Sequence, residues 1–353
     1  MRQGRVIICC TLAVLAGNGL GDALALPPLF YLATAFLFAC ASALRPDRAL
    51  LLGSFVLLGA AAVQIGRMPS AVGPTALIQW AADSKSSFSA WLGKLLPEGD
   101  ELAVLRALSI GDKGSLPRDL RAAYRESGAM HLLALSGLHV GLIYALLAWL
   151  LKPLGGHRFA RLLRCGLILG ALWCYALVTG LTASITRAVL MITFYEGSGL
   201  ISGDRDALAA LAGSAFLLML LRPEAPRDIG FQLSYTAVLS ILLFHPWLKA
   251  RLHTRSKVLT RVWELLCVSL CCQATCGLLA WHYFGTFPRY FLVTTLLAIP
   301  LTTAAMYTIA ASVATSALAA LLPALSPLST AVTAALNGLL QLLNTLIRLI
   351  ADL

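Results

Sequence analysis

Apolar runs long enough to cross a lipid bilayer follow one another along almost the whole chain. Because a hydrocarbon core about 30 Å thick needs roughly 20 apolar residues per helical span, each run favours a transmembrane helix. A helix also satisfies its own backbone hydrogen bonds inside lipid. We therefore predict an all-α, polytopic transmembrane bundle of about 10–11 spans, some of them broken or short. The runs lie near residues 6–21, 29–44, 49–65, 130–151, 162–180, 184–200, 208–221, 229–244, 262–283, 290–322 (interrupted by Pro300) and 328–350.

The composition agrees with a membrane protein and excludes a large soluble domain. Of the 353 residues, 59% are hydrophobic and only 12% are charged, whereas soluble domains are about half apolar and a quarter charged. All nine cysteines lie in apolar stretches, where cysteine behaves as a small hydrophobic residue. A disulfide framework is not expected. Packing is also the favoured role for Cys267, Cys271, Cys272 and Cys276, although their spacing would place several thiols on one side of a helix.

The distribution of basic residues predicts the orientation in the membrane. If the N-terminus is cytoplasmic and every run crosses once, the short cytoplasmic segments hold fourteen lysines and arginines and the short outer segments hold four. That asymmetry is typical of a correct orientation. Arg2 and Arg5 ahead of a short apolar run also resemble a cleavable signal peptide. Since further spans follow at once, a retained first helix is the simpler interpretation.

The long segment between the third and fourth of these runs combines an amphipathic pattern with positive charge. It contains eight basic residues, which should present a positive surface outside the membrane ahead of the fourth span. The alternative is that these residues simply meet lipid headgroups. Apolar residues recur there at helical spacing, which predicts a helix lying in the membrane interface. They are Leu77, Ala81, Phe88, Trp91, Leu92 and Leu95, flanked by Lys85 and Lys94 with Trp80 nearby.

A short polar helix is predicted between this segment and the fourth span. Ser115 or Pro117 can start it and Gly128 can end it. Its arginines recur on one face, so a basic stripe leads directly into the membrane. The residues of this predicted basic surface are Arg106, Lys113, Arg118, Arg121 and Arg125.

The fourth span keeps polar residues at membrane depth, namely His131, Ser136, Gly137, His139 and Gly141. Such side chains usually face a bundle interior, a water-filled cavity or one another. The two glycines also favour a broken helix or a close helix crossing. Ser136 and His139 alone do not establish a hydrolase, because an oxyanion hole and an attack geometry are also needed.

Eight residues of helix span about 12 Å, so His131 and His139 could share a metal only if the helix breaks between them. Packing and pore lining are therefore the favoured roles for these residues. We expect no catalytic residue, no cofactor and no bound metal.

Four ordered motifs resemble the ComEC competence family. HLLALSGLHVGL at residues 131–142 is similar to the family signature, and TGLTASITRAVLM at 179–191 is similar to a second family segment. DIGFQLSYTAVLSI at 228–241 and TLLAIPLTT at 295–303 resemble two further elements. Thr295 stands where relatives commonly have Asn, which removes an amide from a polar position.

The resemblance implies a domain order and a function. It implies N-terminal transmembrane helices at 1–66, an extracytoplasmic linker with the interfacial helix at 67–104, and the channel domain of the family at 105–353. The function implied is DNA uptake during natural transformation, with one strand translocated through a multi-pass channel in the bacterial inner membrane. A small-solute or ion transporter built on the same helical core is the alternative.

The family's extracytoplasmic OB-like domain would not fit in residues 66–100, and no His-x-His-x-Asp-His cluster of its metallo-β-lactamase-like domain occurs. We therefore expect a bare channel module that contacts single-stranded DNA and membrane lipid. DNA capture, strand degradation and cytoplasmic DNA handling would then come from an extracytoplasmic receptor, a separate nuclease and cytoplasmic partners. The sequence does not define an oligomeric state.

Polar and aromatic residues in the family motifs are the candidates for the DNA pathway. Arg187 is the one basic residue well inside a predicted span, and its alternative role is pairing with Glu196 or Asp228. Aromatic rings at Tyr235, Trp281, Tyr283 and Phe284 could stack on bases, with an interfacial belt or core packing as the alternative. The full set of pathway candidates is His131, Ser136, Gly137, His139, Gly141, Arg187, Gln232, Ser234, Tyr235 and Pro300.

Overall fold

The structure is a computed structural model, and within the residues it describes every regular element is helical. This confirms the predicted all-α fold. Six of the described helices are long and apolar enough to cross a membrane, which agrees with a polytopic bundle. These are Val6–Ala23, Arg158–Val178, Ile229–Lys249, Lys257–Phe284, Leu292–Leu321 and Pro323–Ala351. The described residues are 2–24, 28, 30–32, 34–35, 38, 48–66, 76–155, 157–201, 203–252, 256–285 and 291–352.

Three further apolar helices are shorter than a full span, as the sequence predicted for part of the bundle. The predicted run at 29–44 falls largely outside the described residues. The helices are α1 (Arg2–Ala23), α2 (Arg48–Gly66), α3 (Ala76–Leu92), α4 (Asp100–Ile110), α5 (Arg118–Glu126), α6 (Met130–Leu133), α7 (Gly137–Leu150), α8 (Arg158–Val178), α9 (Ala183–Ile201), α10 (Ala207–Leu221), α11 (Ile229–Lys249), α12 (Lys257–Cys272), α13 (Leu278–Phe284), α14 (Phe291–Leu321) and α15 (Ser326–Ala351).

The chain forms two compact units. The first unit comprises Met1–Gly73 and Val189–Leu242, and the second comprises Pro74–Ala188 and Leu243–Leu353. Helices α9 and α11 each begin in one unit and end in the other. The family motifs therefore divide between the units, since Gln232, Ser234 and Tyr235 belong to the first and the remaining pathway candidates belong to the second.

Close backbone approach holds the first unit together. A Cβ added at Gly17 of α1 would lie 1.8 Å from the carbonyl oxygen of Val56 in α2. Small residues at such crossings let helix backbones meet inside a membrane, where the hydrophobic effect adds little. On the other side of α1, Thr11 donates to the carbonyl of Ala212 at 3.0 Å and Asn18 donates to that of Met219 at 3.4 Å.

The core of the second unit is built around α4, which is buried along almost its whole length. Its apolar residues pack with α14 and with one face of α15, where Leu336, Leu340, Leu343 and Ile347 recur at helical spacing. Such spacing places apolar side chains on a single stripe. This core packs against the polar segment that precedes the fourth predicted span.

Helix α3 forms where the sequence predicted an interfacial helix. Ala81 and Leu92 are buried, and Phe88 and Trp91 pack against the core of the second unit. Trp80 is 50% exposed, and the side chain of Leu77 lies outside the described residues. The apolar side of α3 is therefore covered in part by protein.

The predicted interruption at Pro300 is wrong, because α14 runs through it as one helix of 31 residues. Proline lacks an N–H and so removes only the hydrogen bond to the carbonyl of Leu296, four residues earlier. Transmembrane helices tolerate such a local loss. Pro300 is exposed on the helix surface.

Candidate DNA pathway and basic helix

The fourth predicted span is broken, which is one of the two outcomes that its glycines favoured. It forms two helices, α6 and α7, separated by residues 134–136. Ala134 and Ser136 both adopt extended backbone angles, so the chain leaves the helix and re-enters it at Gly137. The break thus comes before both glycines, and α7 continues through Gly141. At 14 residues α7 is about 21 Å long, which is shorter than the hydrocarbon core.

Ser136 and His139 form a capping box at the start of α7. The backbone N–H of Ser136 donates to Nδ1 of His139 at 3.3 Å, and the Ser136 hydroxyl lies 3.0 Å from the same nitrogen. His139 therefore replaces the Glu or Gln that usually completes such a box. Because Nδ1 accepts, the proton of the neutral ring is on Nε2.

Nε2 of His139 is buried and has no hydrogen-bond partner among the described residues. A serine nucleophile activated by histidine normally needs a third group that orients the ring. The described residues place no carboxylate on Nε2. They also contain no group of three or more His, Cys, Asp or Glu residues that could hold a metal ion. The contact that the structure shows for the pair is the capping box at the start of α7.

His131 lies on the other side of the break. Its Nδ1 is 2.9 Å from the carbonyl oxygen of Gly128, and its side chain is exposed. Gly128 has a φ of +73°, a left-handed conformation that glycine adopts without strain. His131 thus helps to fix the turn between α5 and α6.

The start of α7 lies against α9. A Cβ at Gly137 would be 3.6 Å from Cβ of Ala188, the residue that follows Arg187. Arg187 is 7% exposed, so its guanidinium is held inside the protein. Glu196, one of the partners that the sequence suggested for it, forms an ion pair with Arg205 at 2.7 Å. Gly141 has open space around its Cβ position and tolerates a side chain.

The pathway candidates of the first unit have protein partners. Tyr235 is buried, donates to Oγ of Ser214 at 3.1 Å and stacks on Phe231. Gln232 donates to the carbonyl of Pro226 at 2.9 Å, and Ser234 is half-buried. In this structure Tyr235 and Gln232 hold local structure, and a role in DNA contact stays a prediction.

Three aromatic residues that could stack on bases are on or near the protein surface. Trp281 is 61% exposed and Phe284 is 59% exposed, while Tyr283 packs edge-on against His282. They lie in α13, the last part of a span that contains a π-helical turn at Gln273–Gly277. No pattern in the sequence indicated this turn. None of the eight described cysteines forms a disulfide, and Cys267 and Cys271 are buried.

The polar helix predicted after Pro117 is α5, and Pro117 occupies its N-cap position. Arg118 and Arg125 are exposed. Arg121 instead donates to the carbonyl of Lys113, and both are half-buried. Arg106 is also half-buried, and its Nε has no acceptor among the described residues. Of the predicted basic surface, Arg118 and Arg125 are thus the residues that α5 presents outward.

Helix α5 is fixed to the bundle by contacts that are distant in sequence. The hydroxyl of buried Tyr124 donates to Oδ1 of Asn344 at 3.0 Å, and burial raises the pKa of Tyr124 above its usual range. The hydroxyl therefore stays a donor at neutral pH. Arg348 bridges Asp100 and Asp119 at the same end of α15. In sequence, the only hint was that Leu120 and Tyr124 lie four residues apart on a helix that carries five charged residues.

Thr294 and Thr295 add a buried polar position beside this region. Thr294 donates to the carbonyl of Ser127 at 2.7 Å. Thr295 is buried, and its hydroxyl has no partner among the described residues.

Fold and site together define a polytopic helical membrane protein in which a short basic helix leads into a broken transmembrane segment. Comparison with known sequences then gives the family. The chain belongs to the competence protein family, whose sequence profile matches residues 108–353.

Several proteins are similar to this chain over part of their length. ComE operon protein 3 of Bacillus subtilis (strain 168) is 34% identical over 149 residues, which cover 42% of this chain and 19% of that protein. Competence protein ComA of Neisseria gonorrhoeae is 32% identical over 150 residues, 40% of this chain and 21% of its own. An uncharacterized protein of Aquifex aeolicus (strain VF5) is 28% identical over 144 residues, 39% and 33% of the two chains. The chain thus matches a fifth to a third of these relatives, and no solved structure matches it significantly.

Proposed function

We propose that this protein acts in DNA uptake during natural transformation, as the channel that translocates single-stranded DNA across the bacterial inner membrane. The observation that carries the proposal lies inside the region matched by the competence family. There α5 presents Arg118 and Arg125 directly ahead of the break that Ser136 and His139 cap. Exposed arginines that precede an opened helix can bind the phosphates of an anionic strand, although Asp119 and Glu126 are exposed on the same helix.

The basic helix would make the first contacts with the strand. Guanidinium groups bind phosphate oxygens with paired hydrogen bonds and do not read base identity. Arg118 and Arg125 are seven residues apart, or about 10 Å along the helix. They therefore reach different phosphates, and binding should depend strongly on salt.

The rest of the route would pass the break and buried Arg187. The same proposal has three further parts. The remaining pathway candidates line the route, the N-terminus lies in the cytoplasm, and the protein has no catalytic activity. A separate nuclease, an extracytoplasmic DNA receptor and cytoplasmic DNA-handling proteins would act with the channel. The transporter alternative has no comparable support, because the matched family is that of competence proteins.

A transformation assay tests the proposal directly. In a competent host that lacks its own copy of the gene, the double variant Arg118→Gln, Arg125→Gln should lower DNA uptake about tenfold or more. The reason is that each charge-assisted hydrogen bond contributes about 1.5–3 kcal/mol. The matched control is Arg161→Gln, which removes an equally exposed arginine at the start of α8. Unchanged uptake in the double variant, with normal protein levels, would argue against DNA transport.

A further inference from the structure

A cavity of about 480 Å³ lies between the facing ends of α11 and α12. Both helices belong to segments long enough to cross the membrane. The cavity is at the end where one segment finishes at Lys249 and the next begins at Lys257, so it lies at a membrane surface. Its lining includes Pro246, Lys249, Leu252, Thr260, Trp263 and Glu264.

The charge around this cavity is mainly positive. Lys249 and Glu264 form an ion pair at 2.6 Å that joins the two helix ends. Arg251 lies over the ring of Trp247, with 4.3 Å between its guanidinium carbon and the ring centroid. Lys257 and Arg261 are exposed on the first turns of α12. Lys249 and Glu264 are the charged residues of the lining. Because the described part of residues 246–264 holds four basic side chains and one acidic side chain, the two helix ends around the cavity should attract an anion.

The lining also has an apolar part at the level of the headgroups. Leu252 of the lining is 38% exposed, and Trp247, which follows the lining residue Pro246 in sequence, is 57% exposed. Tryptophan is enriched where the hydrocarbon core meets water. The indole N–H of Trp263 is buried and has no acceptor among the described residues. An occupant with a phosphate group and an apolar tail would satisfy both parts of the lining, whereas a free anion would satisfy one.

We propose that this cavity binds the phosphate headgroup of an anionic glycerophospholipid. Lys249 and Thr260 contact the phosphate, Arg251 adds positive charge, and the acyl chains extend along the exposed apolar residues of the two spans. Glu264 limits the affinity because its carboxylate competes for Lys249. The bound lipid would join the ends of α11 and α12 and make their arrangement depend on membrane composition.

Native mass spectrometry of the full chain tests this assignment, with phosphatidylglycerol and phosphatidylcholine offered at equal concentration. The wild type should retain phosphatidylglycerol preferentially. Lys249→Gln should reduce that preference about fivefold, because one basic group near a lipid surface is worth about 1 kcal/mol. Glu264→Gln should preserve or increase it. Arg161→Gln, which removes an exposed arginine at another helix end, should leave it unchanged.

The two substitutions of the ion pair separate lipid binding from a structural role. If Lys249 and Glu264 serve only to hold the helices together, both variants lower thermal stability and neither changes the lipid preference. That result would overturn the proposal, as would equal effects of Lys249→Gln and Arg161→Gln. Displacement of phosphatidylglycerol by inorganic phosphate, or by a short single-stranded oligonucleotide, would show that the occupant is not a lipid.

Discussion

His139 fixes the start of α7 by accepting a hydrogen bond from the backbone N–H of Ser136, three residues earlier. A glutamate would do the same in a soluble protein, but it would bring a carboxylate into an apolar segment. A neutral imidazole provides the acceptor without that charge. Its remaining Nε2–H, buried and unpartnered among the described residues, is a donor available to a rearranged neighbour or a substrate.

Substitution at His139 can separate capping from transport. His139→Gln keeps a side chain known to complete capping boxes, so thermal unfolding in detergent should change little. His139→Ala removes the acceptor and should cost about 1 kcal/mol. If His139 also contacts DNA, the Gln variant will be stable but defective in transformation. A Gln variant that loses as much stability as the Ala variant would contradict the capping role.

The residues around the break show which side-chain contacts can be predicted from the sequence. Ser136 and His139 are polar residues in an apolar run, which predicted that their side chains face one another, the bundle interior or a cavity, because such groups need partners at membrane depth. The pair is local, so spacing alone could bring it together. Tyr124 and Asn344 are 220 positions apart, and Thr294 and Ser127 are 167 apart. The hydrophobic periodicity of a helix does not indicate which distant helix will supply a hydrogen-bond partner.

At the scale of helices, the contact between α1 and α2 depends on the absence of side chains at the crossing. The space at Gly17 is filled by the backbone of Val56, while Gly19 has no atom within 4 Å of its Cβ position. The two glycines lie two residues apart in one helix. They therefore provide a matched pair that differs in contact with α2.

Gly17→Ala should weaken the first unit, because a methyl group would overlap the carbonyl of Val56 and force the helices apart. Overpacking of this kind costs about 1–3 kcal/mol. Gly19→Ala should be neutral or slightly stabilising, since alanine favours helix. Thermal unfolding of the detergent-solubilised protein measures both. Equal behaviour of the two variants would show that α1 and α2 do not cross at Gly17.

The broken span and the proline-containing helix depart from prediction for related reasons. Glycines suggested a break within residues 137–141, yet the chain opens before Gly137, where Ser136 can cap the new helix. Pro300 suggested a break, yet α14 continues past it. In both cases the backbone follows the available hydrogen bonds more closely than the propensity of one residue.

For the whole molecule, hydropathy was enough to establish the class of protein. In the described part of the chain, six long helices and three shorter ones follow apolar runs, because the bilayer sets their length and composition. The division into two units could not be predicted from hydropathy, because helices α9 and α11 each begin in one unit and end in the other. Hydropathy also could not predict that protein covers part of the apolar side of α3, because an amphipathic pattern does not distinguish lipid from a protein neighbour.

In the proposed function, an incoming DNA strand meets α5 and then passes the broken segment between α6 and α7. A diazirine-bearing side chain placed at Arg125, and separately at Gly141 where there is room for one, can capture labelled DNA during uptake. The control position is Phe159 of α8, which is 70% exposed. We expect DNA cross-links at Arg125 and Gly141 and none at Phe159. Cross-links of equal yield at all three positions, or none at the first two while transformation proceeds, would contradict the account.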